Sequence, residues 1–151
     1  MLALSACTTK KDVVNSFTDE TLVLISDLQD RRQTDSLLLF LQSENIQYRK
    51  AASLAFASVQ DSTAIEALGK VLLKDSDPGV RSAAAFSIGQ TFSRTSANVL
   101  ETALLSEKEN TVLREILEAL GKVIPKENAS ILCNYTAKDS LAAEGKVWGI
   151  Y

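Results

Sequence analysis

No histidine occurs anywhere in the 151 residues. That removes the commonest metal ligand and the usual general base near neutral pH. It also removes every Ser/His/Asp or Cys/His nucleophile set. Proline occurs twice, glycine six times, and aromatics make up 6%, which argues against a turn-rich all-β fold. The glycines form neither a G-x-G-x-x-G pattern nor a Walker-type loop, so no phosphate cradle is expected. No hydrophobic run reaches transmembrane length. The two cysteines, Cys7 and Cys133, lie far apart and suggest no disulfide framework. Net charge is −3 with acids and bases interspersed, so the footprint of a nucleic-acid binder is missing. No metal, no cofactor and no catalytic residue are expected. What is present is a chain 46% hydrophobic and 23% charged, ordinary for one folded domain or one short array.

The N-terminus reads "MLALSAC". Leu4-Ser5-Ala6-Cys7 resembles the bacterial lipobox, in which small residues precede a cysteine that is lipidated and becomes the mature N-terminus. The apolar run before it is shorter than the roughly 7–15 residues of a signal h-region. Either the upstream part lies outside this chain, or Cys7 is an incidental thiol. The polar "TTKKD" that follows suits a tether. The expected organisation is a truncated lipoprotein signal at 1–7, a polar tether at 8–17 and a repeat array at 18–151.

The array shows in the spacing. Placing "NIQYRKAASLAFASVQD" (45–61) over "DPGVRSAAAFSIGQTFS" (77–93) sets Tyr48 over Val80, Arg49 over Arg81, Ala51-Ala52 over Ala83-Ala84, Phe56 over Ile88 and Ala57 over Gly89. Each pair is 32 residues apart, and a further 32 leads to Val112 and Gly121. Leu68, Leu100 and Leu132 keep the same period, as do Leu72 and Leu104. A weaker first copy spans 19–44, and a fifth begins near "AKDSLAAEGKVWGIY". A fixed period of this size indicates a repeat architecture.

Each unit reads as two helices. Tyr48, Ala52, Ala55, Phe56 and Val59 share one helical face. A turn at Gln60-Asp61-Ser62 follows, Thr63-x-x-Glu66 has the form of a capping box, and Ile65, Leu68 and Leu72 line a second helix. Asp77-Pro78 opens the next unit, with Asp as cap and Pro at the first helical position. Glu44-Asn45 and Glu109-Asn110 occupy equivalent boundaries. The small residues Ala51, Ala52, Ala83, Ala84, Gly89 and Gly121 are expected to let neighbouring units approach closely, because no single pair can bury its apolar face alone.

"DPGVRSAAAFSIGQ" and "REILEALGKV" resemble HEAT repeats of the short bacterial type, with a D-P-x-V-R-x-x-A-A-x-A-L-G core, over roughly residues 18–151. The resemblance implies an all-α, right-handed solenoid of about four to five stacked helix pairs. It places second helices on the concave face, where Glu66, Lys70, Asn98, Thr102 and Asn134 become candidate binding residues. It also implies an Asp/Arg ladder across repeats involving Arg49, Arg81 and, one residue out of register, Arg114. In the last unit Gly145 and Gly149 are expected to interrupt the first helix. Residues 26–61 are further similar to the N-terminal region of Bacteroidota lipoproteins that carry a cyclophilin-type prolyl isomerase domain. Related repeats also accompany phycobilin lyases, although nothing beyond the fold points to a bilin site.

Other features read as structural. Asp75 and Asp77 flank a turn and suit capping better than metal binding. Glu107-Lys108-Glu109 reads as solvated, Asp30-Arg31-Arg32 as an inter-helix turn, Cys133 as a small packed residue, and Trp148 with Tyr151 as core contacts of a further helix. The expected function is a non-catalytic scaffold for a protein or peptide partner, lipid-anchored in the bacterial cell envelope, with no nucleic acid and no small-molecule cofactor. The alternative is the accessory region of a secreted peptidyl-prolyl isomerase whose catalytic domain lies outside this chain.

Overall fold

The computed structural model describes residues 18–125, 128, 130–137 and 139–150. The expected 1–7 signal and 8–17 tether, Cys7 included, lie outside them. The described residues hold nine α-helices and no strand: α1 (Glu20–Asp30), α2 (Thr34–Phe40), α3 (Ile46–Val59), α4 (Ile65–Lys74), α5 (Pro78–Gln90), α6 (Ala97–Ser106), α7 (Asn110–Val123), α8 (Ser130–Asn134) and α9 (Ser140–Ile150). Short 3-10 turns at Ser62–Ala64 and Arg94–Ser96 lead into α4 and α6. The odd-numbered helices stack in chain order as one layer. Each even-numbered helix lies against the first helix of the following unit, α2 on α3, α4 on α5, α6 on α7 and α8 on α9. A unit therefore completes its core only with its successor, as the period of 32 requires.

Local chemistry sets the helix starts. Asp19 caps α1, its Oδ1 accepting from the Thr21 and Leu22 N–H groups at 2.9 and 3.0 Å. Asn45 caps α3 through the Gln47 N–H, and Asp77 caps α5 through the Val80 N–H at 3.0 Å, with Pro78 at the first helical position. Such caps contribute about 1 kcal/mol each. The Thr63/Glu66 capping box does not form. Asp61 takes that place, accepting from the Thr63 N–H and hydroxyl, because the intervening 3-10 turn moves Thr63 off the α4 N-cap position. Glu66 instead pairs with Lys70. Asp61 also accepts from the Thr34 hydroxyl at 2.6 Å, and this bond, followed by those from Thr63, holds its carboxyl below the usual range. The α3 terminus closes on Gln60 in the left-handed region (φ 53°), its N–H donating to the Phe56 carbonyl.

The core repeats with the sequence. Ala52, Ala84 and Ile116 are fully buried at equivalent positions, as are Phe56, Ile88 and Leu120. Leu68, Leu100 and Leu132 form the matching row of the second helices. Each fully buried Leu, Ile or Phe contributes about 1.5–3 kcal/mol. The small residues fit the close crossings. At Gly89 a Cβ would stand 2.8 Å from the Ala119 Cβ. At Gly121 it would strike the Gly149 backbone, and at Gly145 the Arg114 backbone. The expectation that Gly145 and Gly149 interrupt a helix is corrected: α9 runs through both. These glycines are contact points for α7, and the packing they permit outweighs their poor helix propensity. Ala57 is half-buried.

Candidate interaction surface

Two of the three arginines form the ladder that the HEAT resemblance implies, with Glu107 in place of an aspartate on the second rung. Arg49 donates to Asp75 from Nε and one terminal nitrogen, at 2.7 and 3.0 Å, and to the Ser43 and Glu44 carbonyls at 2.8 and 3.0 Å. One unit on, Arg81 repeats the geometry, bidentate on Glu107 at 2.7 and 3.1 Å with bonds to the Asp75 and Ser76 carbonyls. Each guanidinium thus joins the loop before its own helix to the end of the next second helix. Burial opposes ionisation of Asp75 and Glu107, but the arginine hydrogen bonds and nearby backbone N–H groups outweigh it, holding both carboxyls below the usual range. The same hydrogen bonds raise the pKa values of Arg49 and Arg81.

Two expectations are corrected here. Glu107 is not a solvated charge; its side chain is 8% exposed. Arg114 does not continue the ladder. The register position belongs to buried Leu113, which leaves Arg114 on the outer surface with only loose ion pairs to Glu115 and Glu144, at 3.6 and 3.7 Å. Its Nε is buried without a hydrogen-bond partner among the described residues.

The second helices carry the binding candidates, and all are exposed. Glu66 and Lys70 pair along α4 at 2.7 Å, and Lys70 holds the Glu66 carboxyl below its usual value. Glu66, Lys70 and Asn98 are brought together around a groove of about 470 Å³ between α4 and α6, with Ile65, Leu73 and Val99 beside them. Thr102 is exposed on α6 but turns its hydroxyl to the Asn98 carbonyl. Asn134 is exposed at the end of α8, apart from that groove. Leu73 and Leu105, 32 residues apart, are also exposed, Leu105 by 88%.

Sequence reasoning missed a second groove of about 580 Å³ between α2 and α4, which involves Leu38, Gln42 and Lys74. The signal was a one-residue slip. Buried Leu37 and Leu41 match Leu68 and Leu72 at a spacing of 31 rather than 32, so the weak first copy offered no alignment for α2. On the opposite side a trough of about 510 Å³ crosses α3, α5 and α7. Gly79, Ser82 and Ala83 make α5 low there, between Lys50 on one side and Arg114 and Glu115 on the other. Burial raises the Glu115 pKa above its usual value.

Cys133 is exposed with a free thiol, not packed; its neighbour Leu132 takes the inward position of α8. Trp148 is 61% exposed, with no helix after α9 among the described residues to cover it, and Tyr151 lies outside the described residues. Arg32 lies exposed in the turn between α1 and α2, as expected, and also donates to the Val59 carbonyl at 3.0 Å, tying the first unit to the second. Among the described residues no group of three or more Cys, Asp and Glu side chains could hold a metal ion. No described helix is long and apolar enough to cross a membrane.

These features define a stack of interlocked helix pairs with an open second-helix surface. The family of HEAT repeats matches residues 34–121 and 70–142, and the chain belongs to it. No curated protein matches. Among solved structures, the chain resembles one from the complex of CpcE and CpcF of phycocyanin lyase from Nostoc sp. PCC7120, at 19% identity and a TM-score of 0.69. The match covers 88% of this chain and 60% of that one. At this identity the likeness shows the fold, a helical repeat solenoid.

Proposed function

We propose that this chain is a non-catalytic protein-binding scaffold whose second helices form the binding surface. One contrast carries the reading. The buried charges of the first helices, Arg49 and Arg81, are consumed by bonds that hold the stack. The second-helix face instead leaves Glu66, Lys70 and Asn98 exposed around an apolar groove, with Thr102 and Asn134 exposed elsewhere on the second helices. The similar Nostoc structure comes from a two-subunit complex, which supports a protein partner. The test places a photo-crosslinking residue singly at positions 70, 98 and 102, and at Lys50 and Ser82 on the first-helix side. Discrete protein adducts from the second-helix positions support the reading; adducts from the first-helix positions alone overturn it.

The Leu4-Ser5-Ala6-Cys7 motif supports a tether to the bacterial cell envelope. In the full-length gene product, Cys7→Ser then abolishes fatty-acid labelling and releases the protein from the membrane fraction. An unchanged distribution refutes the anchor. The resemblance of residues 26–61 favours one second reading, in which the array serves a linked prolyl isomerase domain. Sequencing the gene beyond Tyr151 tests it directly: an open frame encoding such a domain supports it, and a stop codon rejects it.

A further inference from the structure

We infer that the groove between α2 and α4 receives an apolar peptide segment bearing acidic side chains, most simply one face of an amphipathic helix of the partner protein. This deepens the scaffold reading and rests on it. The floor of the groove is apolar, formed by Leu38 of α2 and Leu41 just after it and by Ala67 and Val71 from α4. Its volume, about 580 Å³, is large enough to seat several apolar side chains along an open trough. An apolar floor between two helices suits the helix-in-groove mode, in which anchors at i, i+4 and i+7 fill the trough.

The rim sets the sign of the partner. Lys70 and Lys74 stand one helical turn apart on α4 and both border the groove. Lys74 is exposed and forms no ion pair among the described residues. Lys70 is paired only with Glu66, and both side chains are largely in water, so that pair contributes little and yields readily to a better partner. The one carboxylate in the lining, Asp75, is already taken by two hydrogen bonds from Arg49. On the α2 side the rim residue is the neutral Gln42. The uncompensated charge is therefore positive, and a segment with Glu or Asp flanking its apolar anchors matches it, whereas a basic segment meets repulsion.

Two 16-residue designed helical peptides test this against the whole chain. Both carry Leu at i, i+4, i+7 and i+11; one has Glu at the flanking positions, the other Lys. Binding is followed by backbone-amide NMR shifts and by titration at low salt. The acidic peptide is expected to shift Leu38, Ala67 and Val71 and to bind roughly tenfold tighter than the basic one. The doubly substituted Lys70→Glu/Lys74→Glu chain, altered only at exposed positions, is expected to reverse that preference. Equal affinities, a preference for the basic peptide, shifts confined to the α4/α6 groove, or no binding of either peptide overturn this inference and leave the scaffold reading to its crosslinking test. Shifts confined to the α3/α5/α7 trough overturn both.

Discussion

Arg81→Met is the perturbation that weighs the ladder. Arg81 and Glu107 have side chains only 15% and 8% exposed and meet in a bidentate pair. Removing the guanidinium leaves the Glu107 carboxylate in a largely dry site and frees the Asp75 and Ser76 carbonyls. Breaking a buried pair from one side costs about 3–5 kcal/mol. Glu107 keeps its hydrogen bonds from the Lys108 and Glu109 N–H groups, and the methionine stem restores some packing, so a loss of about 2–4 kcal/mol is expected. For a chain of this size, each kcal/mol corresponds to about 2–4 °C in Tm. Urea unfolding followed by circular dichroism reads the loss as a lower midpoint. The double variant Arg81→Met/Glu107→Leu is expected to recover most of it, because an apolar pair of similar volume replaces a charge pair at little net cost. Arg114→Met is the control. Its contacts at 3.6 and 3.7 Å are too long for hydrogen bonds, and a change within about 1 kcal/mol is expected. If Arg81→Met unfolds at the wild-type midpoint, or if Arg114→Met costs as much, the inter-unit role of the ladder is refuted.

Three further outcomes follow from single sites. Gly89→Ala lowers the free energy of unfolding by about 1–3 kcal/mol, read as a lower urea midpoint, since its Cβ would strike Ala119; Gly79→Ala, which meets only the Asp77 carboxylate and the flexible Lys50 end, is near neutral, and equal losses would discredit the close-approach account. Ser53→Ala stabilises by about 1–2 kcal/mol, because the Ser53 hydroxyl is buried without a partner among the described residues; the Ser87 bond to the Ser53 carbonyl survives, as it uses only backbone. Glu115→Gln raises Tm at pH 7 but not at about pH 3, where the wild-type carboxyl is already neutral. Burial raises the folded pKa of Glu115 above its unfolded value, so the stability linked to its proton is complete below the unfolded pKa and is lost as pH rises through the folded one. Asp75 and Glu107, lowered in the fold, act in the opposite sense: they lend stability above the usual carboxylate range and lose it as pH falls through their folded values. A Tm gain for Glu115→Gln that is the same at both pH values rejects the burial argument.

The sequence carried some of these relations openly and hid others, for physical reasons. A 32-residue period is legible because each buried position is met by its counterpart one unit on, so selection for fit repeats Ala52 as Ala84 and Phe56 as Ile88. Arg49 and Arg81 were legible for the same reason. Their acids were not, although Asp75 and Glu107 each lie 26 residues beyond their arginine. A carboxylate at a helix boundary already has an adequate local reading as a cap or a solvated charge, and Asp75 does accept from the Asp77 N–H. Local capping and long-range pairing use the same side chain, so the first masks the second. Glycine misled in the converse way. Gly145 and Gly149 lower helix propensity, yet α9 forms because their missing side chains admit the α7 backbone, a tertiary gain that no local scale contains. Arg114 joins the two lessons. Its one-residue displacement placed Leu113 in the core, and the cation released from the ladder became part of the outer surface. In a repeat protein, such departures from register mark where stacking stops dictating the side chain, and α2, displaced by one residue in the same manner, is where the Lys70/Lys74 groove opens.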